Sequence, residues 1–251
     1  MAGPRGAQVF FTRQKTSKER LAIKWDYPEI LKVVGDGDDK DDGSTTTRPR
    51  MRALSREEAL ANVANGDLRP LLVLRDCEQC KGSDDALLSD RVTNELTATY
   101  ARWFHCVRLP TAVLRADHTF AKLFEGQVAP HMFVCSHDGE NLVPLGGRPG
   151  QRELWQAMTQ MLSLEYEGDA ERTAKDILKL LSKYDHLDSM EQELNNQLAL
   201  ELEKRGDGSD KVRALHRKIE RLRKERAEVE KVEAKLFDLR LKRQPSSASG
   251  K

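Results

Sequence analysis

The chain has 251 residues, of which 33% are charged and 38% apolar, and its formal net charge is +1. That length holds one domain with its own core plus a further segment and excludes several large domains. The near-zero charge gives the molecule no field that selects nucleic acid or an anionic membrane, and no stretch approaches the roughly 20 apolar residues that span a bilayer. The expectation is a soluble protein without a secretory leader, in which part of the length is solvated helix or tail. The four cysteines, Cys77, Cys80, Cys106 and Cys135, are too few for a disulfide framework, which favours a reducing, cytoplasmic setting.

Residues 1–34 mix basic and aromatic side chains, with Trp25, Tyr27 and Pro28 ahead of the apolar set Ile30, Leu31, Val33 and Val34. This segment is expected to pack on the domain as an N-terminal arm. The run from Gly35 to Thr47 combines turn formers with like charges and is expected to be a flexible linker. Its aspartates lack the spacing of a calcium loop, so no metal is assigned there. Order resumes at Ser55-Arg56-Glu57-Glu58, a capping box opening a helix that carries Leu60 and Val63 to Gly66. Pro70 to Leu74 reads as a buried strand, and Cys77-Glu78-Gln79-Cys80 follows it directly. From Ser83 a periodic helix places Leu87, Val92, Leu96 and Tyr100 around one face, with Asp84 and Asp85 suited to the positive end of the helix. Trp103 to Pro110 is a second strand, and residues 117–126 a short helix. The strands 130–135 and 141–145 flank an Asp138-Gly139 hairpin turn, and Gln151 to about Leu164 is a last amphipathic helix.

An alternation of helices and strands that ends in a hairpin predicts an α/β fold. Its mixed sheet is parallel in the first half, antiparallel in the second, and flanked by helices. That order, with a Cys-x-x-Cys after the central strand and a proline fifty residues beyond Cys80, resembles the thioredoxin superfamily over residues 50–165. The resemblance implies that the Ala129–Pro130 bond is cis and faces the dithiol, and that Pro130 holds an extended substrate near Cys77 and keeps metal ions from closing around the pair. Asp76, Glu78, Gln79 and Ala129 would line the substrate groove.

The chemistry of the pair also follows from its position. A cysteine at a helix N-terminus meets unsatisfied N–H groups and the positive end of the macrodipole, which favour the thiolate. Cys77 is therefore the expected nucleophile, and Cys80, three positions on, the resolving thiol. The chain departs from the superfamily pattern in three places. Asp76 stands where an aromatic residue is usual, and Glu78-Gln79 replace the common Gly-Pro. Leu71 matches the position of a buried relay carboxylate. Negative charge beside Cys77 raises a thiol's pKa, so a reducing pair is expected, not a strong oxidant. A zinc site joining all four cysteines has unsuitable spacings, so no metal ligands and no cofactor are assigned. His105 reads as a core histidine. His131, next to Pro130, lies near the site but is also read as structural.

From Tyr166 the periodicity becomes that of long helices, with the stripes Ala170, Ala174, Ile177, Leu181, Tyr184 and Leu187, Met190, Leu194, Leu198, Leu202. The stretch 206–210 breaks them. Val212, Leu215, Ile219 and Leu222 then lead to Arg226, which sits at a seam position and marks a register break. Residues 165–210 carry net charge −7 (13 acidic, 6 basic) and 211–243 net +7 (6 acidic, 13 basic), which predicts an antiparallel hairpin or coiled coil. The domain expectation is an arm and acidic linker at 1–49, a thioredoxin-like domain at 50–165, a helical tail at 166–243 and a disordered end at 244–251. The expected function is thiol–disulfide exchange on a protein substrate, with catalytic residues Cys77, Cys80 and Pro130. The alternative is a non-catalytic interaction protein that oligomerises or binds a partner through residues 166–243. Membrane and nucleic acid are not expected partners.

Overall fold

The computed structural model describes residues 12–29, 53–89, 91–125 and 130–242. The run 35–47, the apolar set Ile30, Leu31, Val33 and Val34, Ala129 and the end 244–251 lie outside the described residues, as do the side chains of Gln79, Lys81 and Ser83. In chain order the helices are Lys15–Leu21 (α1), Arg56–Ala64 (α2), Lys81–Leu88 (α3), Glu95–Ala101 (α4), Gln151–Glu165 (α5), Ala170–Arg205 (α6) and Asp210–Phe237 (α7). The strands are Trp25–Asp26 (β1), Leu71–Arg75 (β2), His105–Leu109 (β3), Met132–Cys135 (β4) and Val143–Leu145 (β5). Internal contacts divide the chain into two compact units, Met1–Ala22 with Asp90–Thr99 and Arg172–Asp238, and Ile23–Ser89 with Tyr100–Glu171 and Leu239–Lys251.

The second unit is built on one open sheet in the order β1-β3-β2-β4-β5. β3 is parallel to β1 and β2, whereas β4 is antiparallel to β2 and β5. β2 lies in the middle and every one of its residues is buried, which is why Leu71 to Leu74 read as an unbroken apolar run instead of an alternation. One sheet face carries Leu71, Val73, Val107, Leu109 and Phe133 into a core with Leu60 and Val63 of α2, Phe120 and Phe124. The alternate residues of the strands face the other side, where α5 packs on β4 and β5 and buries Leu154, Met158, Met161 and Leu162.

Local chemistry sets the element ends. Ser55 and Glu58 form both hydrogen bonds of the capping box, 3.2 Å from the Glu58 amide to Ser55 Oγ and 2.9 Å from the Ser55 amide to Glu58 Oε2. At the hairpin, the Gly139 amide donates to the Ser136 carbonyl at 2.8 Å, and Gly139 holds φ at +83°. The helix expected from Ser83 through Tyr100 is instead divided. α3 stops at Leu88, Ser89 is extended, and a 3-10 turn at Val92–Asn94 precedes α4. Ser89 is a poor interior helix residue because its hydroxyl competes for backbone groups, and Val92 is left 46% exposed. The expected helix at 117–126 is likewise a single 3-10 turn, Ala121–Phe124, preceded by one at Thr111–Leu114. There the Phe120 amide donates to His118 Nδ1 at 3.2 Å, a side-chain bond that replaces a helical one.

In the other unit α6 and α7 run antiparallel. Lys211 meets Glu201 near the connecting turn, and Tyr184 Oη donates to Glu233 at 2.9 Å further along. Gly206 turns the chain with φ +69°, and Ser209 caps α7 by accepting from the Val212 amide. Tyr184, Leu187, Leu222 and Val229 form the shared apolar core. Arg226 breaks the apolar register because it is the hub of an ion cluster, donating to Asp188 at 2.9 Å, Glu191 at 2.7 Å and Thr16 Oγ1 at 2.9 Å. α1 completes this unit. Ser17 donates to the Leu181 carbonyl, Arg13 bridges Glu95 and Asp185, and Arg20 stacks 4.3 Å over the Tyr184 ring. The arm is thus divided, with α1 belonging to the helical unit and β1 to the sheet.

Candidate functional site

The central strand delivers the cysteine pair. β2 ends at Arg75, and the Asp76 amide still pairs with the Leu109 carbonyl at 2.8 Å, so the chain leaves the sheet in a fixed direction. Cys77 then opens a 3-10 turn, Glu78–Cys80, closed by the Cys80 amide donating to the Cys77 carbonyl at 3.0 Å, and this turn runs straight into α3. Cys77 and Cys80 form a disulfide with Cα atoms 5.1 Å apart, within the usual range for such a bond. Both cysteines are half-buried. The pair therefore stands at the amino end of a helix, where free N–H groups favour a thiolate once the bond is opened.

β4 brings the second group of residues to the same place. Antiparallel pairing sets Met132 opposite Leu74, and the Arg75 amide donates to the His131 carbonyl at 3.0 Å. Pro130 and His131 consequently lie beside the end of β2, just before the cysteines. The Pro130 carbonyl also accepts from Arg75 Nε at 3.5 Å. His131 is buried, 3% exposed, with a ring nitrogen within 4.8 Å of the ligand atoms of both cysteines. Its Nε2 pairs with Asp84 Oδ1 on the first turn of α3, while its Nδ1 is buried without a hydrogen-bond partner among the described residues. A carboxylate, an imidazole and two sulfurs thus converge at one helix end.

The charges around the pair are partly neutralised. Asp76 accepts from Arg108 Nε at 2.7 Å, and its carbonyl accepts from Thr111 Oγ1 at 3.0 Å. The Arg108 guanidinium is held above its ordinary range, chiefly by the hydrogen bond to Asp76. Glu78 points to solvent. Ala129, and with it the geometry of its bond to Pro130, lies outside the described residues, and so does the side chain of Gln79.

The other candidates fall elsewhere. Cys106 and Cys135 pair with Leu72 and Leu71 at the opposite end of β2, about 10–13 Å along the strand from its exit, so the four cysteines do not form one cluster. Burial pushes each of these thiols up to about 12, which keeps them protonated and inert near neutrality. His105 starts β3 at that same far end and pairs with Asp26 Oδ2 of β1 at 3.1 Å, a structural contact. Two partners at the site have no signature in the sequence that pairs them. Asp84 is legible only as a helix-dipole residue, and Arg108 only as a strand residue, because both pairings join distant parts of the chain.

No helix among the described residues is long and apolar enough to cross a membrane. Comparison of the chain with known protein families, with characterised proteins and with solved structures finds no match.

Proposed function

We propose that this chain is a thioredoxin-like thiol–disulfide oxidoreductase. Its redox domain spans residues 50–165, after an arm and linker at 1–49 and before a helical tail at 166–243. One observation carries the reading: a disulfide between two cysteines that leave the central strand and enter a helix, flanked by Pro130 and His131 at the start of an antiparallel strand. The sheet, parallel over β1, β3 and β2 and antiparallel over β4 and β5, supports the same fold.

In the proposed reaction the reduced Cys77 thiolate attacks one sulfur of a protein disulfide. A Cys77–substrate bond forms, the substrate S–S bond breaks, and the leaving thiolate takes a proton. The Cys80 thiolate then attacks Cys77 Sγ, releases the second substrate thiol, and leaves the Cys77–Cys80 disulfide. A small dithiol or a reductase returns the pair to the thiol state. His131, oriented by Asp84, is the proton carrier for Cys80, a task that no residue of β2 can perform because Leu71, Leu72, Val73 and Leu74 are all buried and apolar and the Arg75 guanidinium does not give up its proton. Pro130 shapes the groove. A reducing dithiol of this kind suits the cytoplasm.

Replacing Cys80 with serine removes the resolving thiol, so mixed disulfides on Cys77 should accumulate in cells and disappear in the Cys77→Ser chain. Recovery of no Cys77-linked partner would contradict the reading.

A second reading, an assembly role for the tail, is favoured by apolar side chains left uncovered on α6. Met190 and Leu202 are exposed, and Leu194 and Leu198 are only half-buried. A second copy of this chain would set its basic α7 against the acidic α6. Sedimentation of the full chain distinguishes a dimer from a monomer, and the latter opposes this second role.

A further inference from the structure

We propose that, against the metal exclusion the family resemblance implies for Pro130, the reduced chain binds a zinc-class divalent cation through Cys77 Sγ, Cys80 Sγ and His131 Nδ1, and that closure of the Cys77–Cys80 disulfide expels it. This rests on the reading of the pair as a reversible dithiol. Both sulfurs and a ring nitrogen of His131 lie within 4.8 Å of one another. A tetrahedral zinc with Zn–S near 2.3 Å and Zn–N near 2.0 Å needs sulfur–sulfur and sulfur–nitrogen separations of roughly 3.6–3.8 Å. Reduction frees the sulfurs to move apart to that spacing, and a shift of the imidazole brings its free nitrogen toward them.

The histidine is already arranged as a ligand. Metal-bound imidazoles usually give their second ring nitrogen to a carboxylate, which fixes the ring and raises the basicity of the ligating atom. Here Asp84 holds Nε2, and the other nitrogen, Nδ1, is buried with no hydrogen-bond partner among the described residues. The half-buried cysteines leave a fourth position open to water or an added thiol. Two thiolates and an imidazole select a borderline-soft cation over calcium or magnesium.

Redox state decides occupancy. A dithiol reductant delivers two electrons and two protons to the disulfide and becomes a disulfide itself. Coordination then displaces one proton from each cysteine thiol. A two-electron oxidant, a disulfide or diamide, takes the electron pair as the two thiolates form the disulfide, which removes both sulfur ligands, and the cation leaves. Bound metal would in turn shield Cys77 from substrate, making the site an off-switch for exchange.

The test uses the full-length protein, reduced and desalted without oxygen, and titrated with Co2+. A thiolate-to-cobalt absorption band saturating at one ion per chain is expected, lost on adding Zn2+ and on oxidation with diamide. His131→Gln should weaken binding at least tenfold. Asp84→Asn, which leaves all three ligands in place, should weaken it about 10- to 100-fold. Near-ultraviolet circular dichroism confirms that each variant is folded, and the Asp84 variant decides the matter if the other is not. The proposal is overturned if alkylation counts two free thiols at Cys77 and Cys80 while no band appears, or if the band is unchanged in folded variants. A pair that no reductant opens, or that diamide cannot close again, overturns the dithiol reading and this proposal with it.

Discussion

Asp76 shows how a single contact changes the chemistry expected of a neighbour. In the sequence it stands as an anion beside Cys77 and argues for a poor nucleophile. In the structure its carboxylate is turned onto Arg108, at 2.7 Å, and much of that opposition is offset. Both side chains are about 40% exposed, so water screens the pair and its effect is modest. Arg108→Ala leaves the carboxylate unbalanced. The prediction is a slower iodoacetamide reaction at Cys77 near neutral pH, by a few-fold, with the thiol titrating at higher pH. A pH–rate profile identical to that of the unchanged chain would show that Asp76 has no influence on the Cys77 thiol.

At the scale of elements, what could be read in advance was what neighbouring residues determine together. Ser55 with Glu58 and Asp138 with Gly139 each fix a helix end or a turn within four residues, and each occurs as expected, as does the helix break at 206–210. The Cys-x-x-Cys at the exit of β2 was legible for the same reason. The contacts that complete the site were not. Asp84 reaches His131 across 47 positions and Asp76 reaches Arg108 across 32, and no periodicity encodes which strand brings them together. The division between α3 and α4 is not legible in the sequence because apolar spacing continues through Ser89, while the local hydrogen-bonding cost of that serine does not show in the pattern. Gly139 offers a direct check of turn chemistry. Its φ of +83° is unfavourable for any residue with a Cβ, and a methyl group there would collide with the side chain of Leu60. Gly139→Ala should therefore destabilise the sheet unit by roughly 1–3 kcal/mol, read as a lower urea midpoint with unchanged slope.

At the scale of the whole molecule, two units carry two different kinds of stability. The sheet unit rests on apolar burial. The helical unit adds to its apolar core an ion cluster around Arg226, in which Asp188 takes hydrogen bonds from the Thr16 amide, Thr16 Oγ1 and Arg226. Burial alone would raise the Asp188 carboxyl, but those donors hold it below the usual carboxylate range. An ionised form favoured by folding stabilises the chain at pH above the unfolded value of about 3.9, and that contribution fades as pH falls through the lower folded value. Asp188→Asn should thus melt lower than the unchanged chain at pH 7, with the gap closing below about pH 4. A gap that stays constant across this range would remove Asp188 from the account. The paired charges of α6 and α7 likewise explain why so basic a segment coexists with a net charge of +1. The central claim, a Cys77–Cys80 bond made to open and close, is tested most directly by its reduction potential. Full-length protein equilibrated across a dithiothreitol series and alkylated for mass analysis should titrate reversibly by two electrons, at roughly −200 to −300 mV. A pair that stays bonded well below about −300 mV would be a structural staple and would contradict the account.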